Sequence, residues 1–152
     1  MSTQTNIQLL TPQHWKDYEL IDCGDFEKLE RFGDLILIRP EPQAVWPKTL
    51  SEGEWNKQHH IKFKGRSATS GEWVKKNPKT ADRWHIEYKN TDVAIKFRLG
   101  LTSFKHVGVF PEQAVNWDYM AERIKEAGRP VKVLNLFAYT GDATLAAAAA
   151  GA

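Results

Sequence analysis

The chain has 152 residues, of which 21 are Lys or Arg, 19 Asp or Glu and 5 His, for a formal net charge of +2; 41% are hydrophobic and 26% charged. That balance is ordinary for a soluble globular domain and excludes a disordered chain. The longest strongly apolar run, Leu35-Ile36-Leu37-Ile38, is far short of the ~20 residues of a membrane span, and the single Cys23 permits no internal disulfide or thiolate zinc cluster.

Residues 1–10 have neither the basic nor the apolar region of a secretory signal, so a cytoplasmic, reducing setting is expected. Tyr18-Glu19-Leu20-Ile21 reads as a short strand closed by the turn formers Asp22-Cys23-Gly24-Asp25. Phe26 to Phe32 fits either a helical turn or an extended piece, ended by Gly33-Asp34. Leu35 to Arg39 reads as a buried strand stopped by Pro40 and Pro42, which cannot donate to a ladder. Gly71 to Lys75 and Trp84 to Tyr88 read as two strands joined by the polar stretch 76–80. Val93 to Leu99 alternates apolar and basic residues, Ala94 apart, as a strand with one wet face does. Together these predict a mostly antiparallel β module over residues 1–104.

Charge divides along the chain. Residues 1–50 carry 5 basic and 8 acidic groups, residues 51–100 carry 11 and 6, and residues 101–152 carry 5 and 5. The basic middle is also aromatic: Trp55, Phe63, Trp73, Trp84 and Tyr88 lie among lysines that include Lys62, Lys64, Lys75 and Lys76. Cations that meet phosphates beside rings that stack on bases are the ingredients of nucleic-acid binding. A solvated β face whose rings belong to the core has the same composition. The stretch 55–89 therefore supports two readings, a nucleic-acid-binding β module or structural support.

The pattern changes at Phe110. Pro111 suits a first helical turn, Ala114, Trp117, Ala121 and Ile124 recur at helical spacing, and Gly128 supplies the stop. Val131 to Phe137 is almost continuously apolar, as a strand inside a parallel sheet is. Residues 138–142 form a tight turn and Ala143 to Ala150 an alanine-rich helix stopped by Gly151. Helix, strand, glycine turn and helix are how a doubly wound α/β domain opens. A turn that feeds a helix N-terminus presents unpaired N–H groups to anionic ligands. The loop has one glycine where a dinucleotide fingerprint needs three, and lacks the Gly-Lys-Ser/Thr of a triphosphate loop. From spacing alone, a ligand site and a structural βα turn remain equal alternatives.

Asn135-Leu136-Phe137-Ala138-Tyr139-Thr140-Gly141-Asp142-Ala143-Thr144-Leu145 resembles motif I of class I S-adenosylmethionine-dependent methyltransferases. It is most similar to the large-subunit ribosomal RNA cytosine-5 and related branch, with its Phe-x-Tyr-Thr-Gly. His106-Val107-Gly108-Val109-Phe110-Pro111-Glu112-Gln113 is similar to that branch's Lys-Thr-Gly-x-aromatic-x-Asp-Gln segment. The match covers residues 91–152, and the β module resembles the family's accessory domain more loosely. The resemblance implies an α+β chain: the β module of 1–104, then over 105–152 the first helix-strand-helix of a truncated Rossmann-like methyltransferase domain.

The resemblance also implies the cofactor, S-adenosylmethionine, and an RNA acceptor in rRNA processing. Asn135, Phe137, Ala138, Tyr139, Thr140 and Gly141 would hold the methionine end, and His106, Phe110 and Gln113 would close over it. The chain departs from the pattern at Asp142, where glycine is common, and at His106-Val107, where Lys-Thr is usual. The family's ribose-binding acid and its Asp-Pro-Pro-Lys segment would fall beyond Ala152. The 152 residues are thus expected to lack catalytic residues, to transfer no methyl group and to bind the cofactor weakly or not at all. Residues 131–152 are expected to be poorly protected or prone to associate unless the strand docks on the β module. His59 and His60 have no ligand pattern around them and are expected at the surface, His14 and His85 are equally unsupported as ligands, and Asp22, Asp25 and Glu27 are expected to solvate turns.

Overall fold

The computed structural model describes residues 9–67 and 70–152. The first eight residues of the module expected over 1–104 lie outside that range. The chain is α+β. Strands β1 (Tyr18–Gly24), β2 (Glu27–Phe32), β3 (Leu35–Pro40), β4 (Ile61–Gly65) and β5 (Gly71–Lys75) form one sheet in that order, and β6 (Arg83–Lys89) pairs with β7 (Ala94–Gly100) in a second. All pairs are antiparallel except β3–β4, which helix α1 (Glu52–Gln58) links in parallel. A 3-10 turn (Pro111–Gln113) leads into α2 (Ala114–Glu126), and α3 (Asp142–Ala149) follows.

The expected pieces 18–21, 35–39, 71–75 and 84–88 fall on strands, as do 26–32 and 93–99 apart from their first residues, the piece 27–32 resolving as extended and Phe26 as part of the turn before it. The strands at 71–75 and 84–88 do not pair with each other; they belong to different sheets, because β5 takes β4 and β6 takes β7 as partner. Alternation sets the faces of the second sheet: Ile86 and Tyr88 of β6 and Ile95, Phe97 and Leu99 of β7 point inward, with Lys96 and Arg98 outward. Onto that inner face α2 lays Ala114, Trp117 and Ala121, all essentially buried. Trp117 stacks on Phe97 at 5.5 Å and meets Tyr88 and Trp15 edge-on. Phe32, Leu37 and Ile61 of the first sheet join the same core, while Leu29, Ile38 and Trp55 form a smaller one under α1.

The segment Val131 to Phe137 is not the buried strand expected. It forms no ladder with any described strand, and Leu134 and Phe137 are 81% and 89% exposed. A strand-like composition supplies no partner for its own N–H and C=O groups, and pairing is what makes a strand. The helix behind it behaves differently. α3 packs on α2 and β7, burying Ala146 and Ala147, so the two halves of 131–152 part company.

Two polar predictions are also corrected. Asp22 does not solvate a turn: it is buried and accepts hydrogen bonds from the N–H groups of Cys23, Thr49 and Leu50 and from the Trp55 indole. Burial raises its pKa, but those donors outweigh burial and hold it below the ordinary carboxylate range. His59 is buried rather than at the surface, its Nδ1 2.9 Å from Trp55 O at the end of α1. His60 is exposed and its Nδ1 accepts the Ile36 N–H at 2.9 Å.

Candidate functional site

The turn 138–141 is built by backbone strain and glycine together. Tyr139 takes φ +46° and Gly141 φ +95°, and the Gly141 N–H closes on Ala138 O at 2.6 Å. A Cβ at Gly141 would meet nothing within 4 Å, so the approach to the turn is open. Asn135 shapes the entry: its Oδ1 accepts the Phe137 N–H at 3.1 Å and its Nδ2 donates to Thr144 Oγ1 at 2.9 Å on α3. The first N–H groups of α3 face this turn, where a helix has no acceptors of its own. Asp142 is 6% exposed, and its Oδ1 accepts the Ala143 N–H at 2.8 Å. Its carboxylate therefore lies against the start of its own helix rather than in the open turn.

The upstream segment comes to the same place. Thr140 Oγ1 donates to Gly108 O at 2.9 Å. The rings of His106, Phe110 and Tyr139 follow one another with centroids 5.1 and 4.9 Å apart. Arg98, Thr102, Phe104, His106, Tyr139 and Thr140 line part of an open pocket of about 540 Å³. Burial, reinforced by Arg39, Lys105 and Lys28, lowers the His106 pKa, so its ring is neutral at neutral pH. Burial likewise raises the Tyr139 pKa and keeps the phenol protonated. Gln113 is exposed on the 3-10 turn, its Oε1 accepting from Asn116 Nδ2, and it lines none of this pocket. Of the nine expected cofactor residues, His106, Phe110 and Tyr139 form a chain of ring contacts, and Thr140 joins the upstream segment through Gly108 O. Phe137 and Ala138 are exposed beside them, and Asn135 supports the turn.

What pins the upstream segment was missed from sequence. Glu30 and Arg39, on adjacent strands, form a buried two-point pair at 2.7 and 2.8 Å, and Tyr18 donates to Glu30 at 3.0 Å. Arg39 Nη1 then donates to Lys105 O at 3.2 Å, and Trp15 Nε1 to Pro111 O at 2.9 Å. Burial raises the Glu30 pKa, yet the Arg39 charge and hydrogen bonds dominate and hold it below the ordinary range. The β module thus anchors both ends of segment 105–111. Spacing in sequence gives no hint of the pair.

The four lysines proposed for nucleic acid do not share a face. Lys62 and Lys64 stand opposite Val74 and Glu72, whereas Lys75 stands opposite Ile61 on the other face of the sheet. Lys62 pairs with Glu27 at 2.6 Å, Lys75 with Asp82 at 2.8 Å, and Lys76 donates to Asn56 O. Lys64 is exposed with no carboxylate partner among the described residues. Among the described residues no group of three or more His, Cys, Asp or Glu is placed to hold a metal, and no helix is long and apolar enough to cross a membrane.

No family model matches the chain. Over 122 residues, 80% of this chain, it is 30% identical to the ribosomal RNA large subunit methyltransferase K/L of Shewanella loihica and 37% identical to that of Shewanella baltica. The chain spans 15% of the length of these curated relatives. Among solved structures, a SAM-dependent methyltransferase from Agrobacterium tumefaciens superposes with a TM-score of 0.82 at 38% identity, over 97% of this chain and 45% of that one. A putative SAM-dependent methyltransferase from Streptococcus mutans, at 16% identity, shares the fold with a TM-score of 0.60 over 91% of this chain and 37% of its own. Sequence and fold agree: over the part it spans, this chain is similar to S-adenosylmethionine-dependent methyltransferases, those named for large-subunit ribosomal RNA included.

Proposed function

We propose that the chain is part of a cytoplasmic S-adenosylmethionine-dependent methyltransferase acting on RNA. Residues 105–152 begin its Rossmann-like catalytic domain and residues 1–104 serve as an accessory module. The observation that carries this reading is the contact of two distant segments, Thr140 on Gly108 and Tyr139 on Phe110. Residues that resemble the family's motif I and its upstream segment meet as one wall.

That wall fits the methionine end of the cofactor. The turn is open above Gly141, and the Asp142 carboxylate lies against the helix start, out of that opening. Tyr139 and Phe110 would exclude water from one side, and the Thr140–Gly108 bond fixes the distance between the two segments. The cofactor, when bound, supplies the methyl group. The sequence contains no Asp-Pro-Pro-Lys segment to complete the reacting centre, so the 152 residues by themselves hold the cofactor weakly and transfer no methyl group.

Equilibrium dialysis with radiolabelled S-adenosylmethionine tests the reading. Weak, saturable binding that S-adenosylhomocysteine displaces, and that Tyr139→Ala lowers about tenfold, is expected. Binding unchanged in Tyr139→Ala contradicts it, as does single-turnover methylation of RNA by this chain.

A further inference from the structure

A second opening lies beside the first. It is an open groove of about 840 Å³ between the β1–β2 hairpin, β4 and the loop before His106. Phe26, Lys62, Lys64, Phe104, Lys105 and His106 are among its lining residues, and Phe104 and His106 also line the pocket at the Tyr139-Thr140 turn. The groove therefore opens toward the candidate cofactor wall.

Its most telling feature is Phe26. The hairpin joins Gly24 to Glu27 through two residues, Asp25 and Phe26, with φ of +48° and +64°. That conformation favours Asn-Gly, and a bulky ring there is an outlier held against its preference. Three backbone bonds clamp it: Asp25 N–H to Trp46 O, Phe26 N–H to Ala44 O, and Glu41 N–H to Phe26 O. The ring is left 58% exposed. A core role would bury it and a turn role would use glycine. Phe104 stands in the same groove, 53% exposed.

The charges around these rings are cationic. Lys64 and Lys105 have no carboxylate partner among the described residues, and Lys105 Nζ reaches only Pro40 O at 3.4 Å. The groove's one carboxylate, Glu27, is shared between Lys62 and Lys48 and so is already neutralised. The geometry points to a seat for single-stranded RNA: bases stack on Phe26 and Phe104 while Lys64 and Lys105 take the phosphates, and the strand is led past His106 toward Tyr139. This rests on the reading of the chain as part of an RNA methyltransferase, and supplies the site through which the acceptor strand enters. It replaces Lys75 and Lys76, which lie elsewhere, with Phe26, Phe104 and Lys105.

The test is fluorescence anisotropy of a short labelled oligouridylate with the full 152-residue chain over a range of salt. Phe26→Gly removes the ring and relieves the backbone, so it is expected to fold at least as stably as the parent and to bind RNA about tenfold more weakly. Phe104→Ala is expected to weaken binding similarly. Lys64→Gln and Lys105→Gln each lower affinity and reduce the salt slope by about 0.7. Wild-type affinity in Phe26→Gly, no RNA binding at low salt, or equal binding of polyglutamate overturns the proposal. S-adenosylmethionine binding is measured on the same preparations. Phe26→Gly and Lys64→Gln leave it unchanged, so failure of the groove is distinguishable from failure of the methyltransferase reading.

Discussion

Replacing Arg39 by methionine is expected to destabilise the protein by about 3–5 kcal/mol, because it strands a buried carboxylate. Glu30 is 0% exposed and Arg39 4%, and the two-point pair at 2.7 and 2.8 Å is what keeps Glu30 ionised. Without Arg39 only the Tyr18 hydroxyl at 3.0 Å and Lys28 at 3.6 Å remain near that charge. Lys28 is partly exposed, which places the loss toward the lower end of the range. The Lys105 carbonyl also loses its guanidinium donor, adding about 1 kcal/mol. The double variant Glu30→Met/Arg39→Leu removes both charges and is expected to recover most of the loss. Urea unfolding followed by tryptophan fluorescence at neutral pH measures all three proteins. A single-variant cost below about 1 kcal/mol, the range of exposed pairs, would refute the reasoning. So would a double variant no more stable than the single one.

Acid sensitivity follows from the same group. Glu30 and Asp22 both have folded pKa values below their ordinary ones, so the stability they contribute is complete above the unfolded pKa and is lost as pH falls through the folded one. Glu30→Gln is expected to flatten the acid limb of the stability profile, as read by urea midpoints across pH 2 to 6. Ser51→Ala breaks a capping box in which Ser51 and Glu54 satisfy each other's N–H groups, and is expected to cost about 1 kcal/mol by thermal melting. Gly141→Ala meets no steric obstacle, so its cost of about 1–2 kcal/mol is backbone strain at φ +95° alone, and Gly141→Asn is expected to cost less.

Local chemistry and tertiary pairing divide what the sequence makes legible. Ala114, Trp117, Ala121 and Ile124 announce the buried face of α2, and Gly128 its end at φ +58°. Ser51-x-x-Glu54 announces α1 equally clearly, and Ile61-Lys62-Phe63-Lys64 alternates as β4 does, yet the density of charge around them hides both. Val131 to Phe137 shows the opposite failure, since composition states a preference and only a neighbouring strand fulfils it. Glu30 and Arg39 stand nine residues apart on neighbouring strands, and nothing in their local sequence marks them as a buried pair that fixes Lys105. The union of His106, Phe110 and Tyr139 is not legible from spacing either; it was implied by resemblance to the methyltransferases, and the fold supplies the distances.

Segments 106–113 and 135–144 are proposed to form one wall for the methionine end of S-adenosylmethionine. An NMR titration of the ¹⁵N-labelled chain with S-adenosylmethionine reads that wall residue by residue, even where binding is weak. Concentration-dependent shifts clustered at Gly108, Phe110, Tyr139, Thr140 and Gly141, and weakened in Thr140→Val, are the expected result. Shifts confined to β1–β5, or none up to millimolar cofactor, would contradict it.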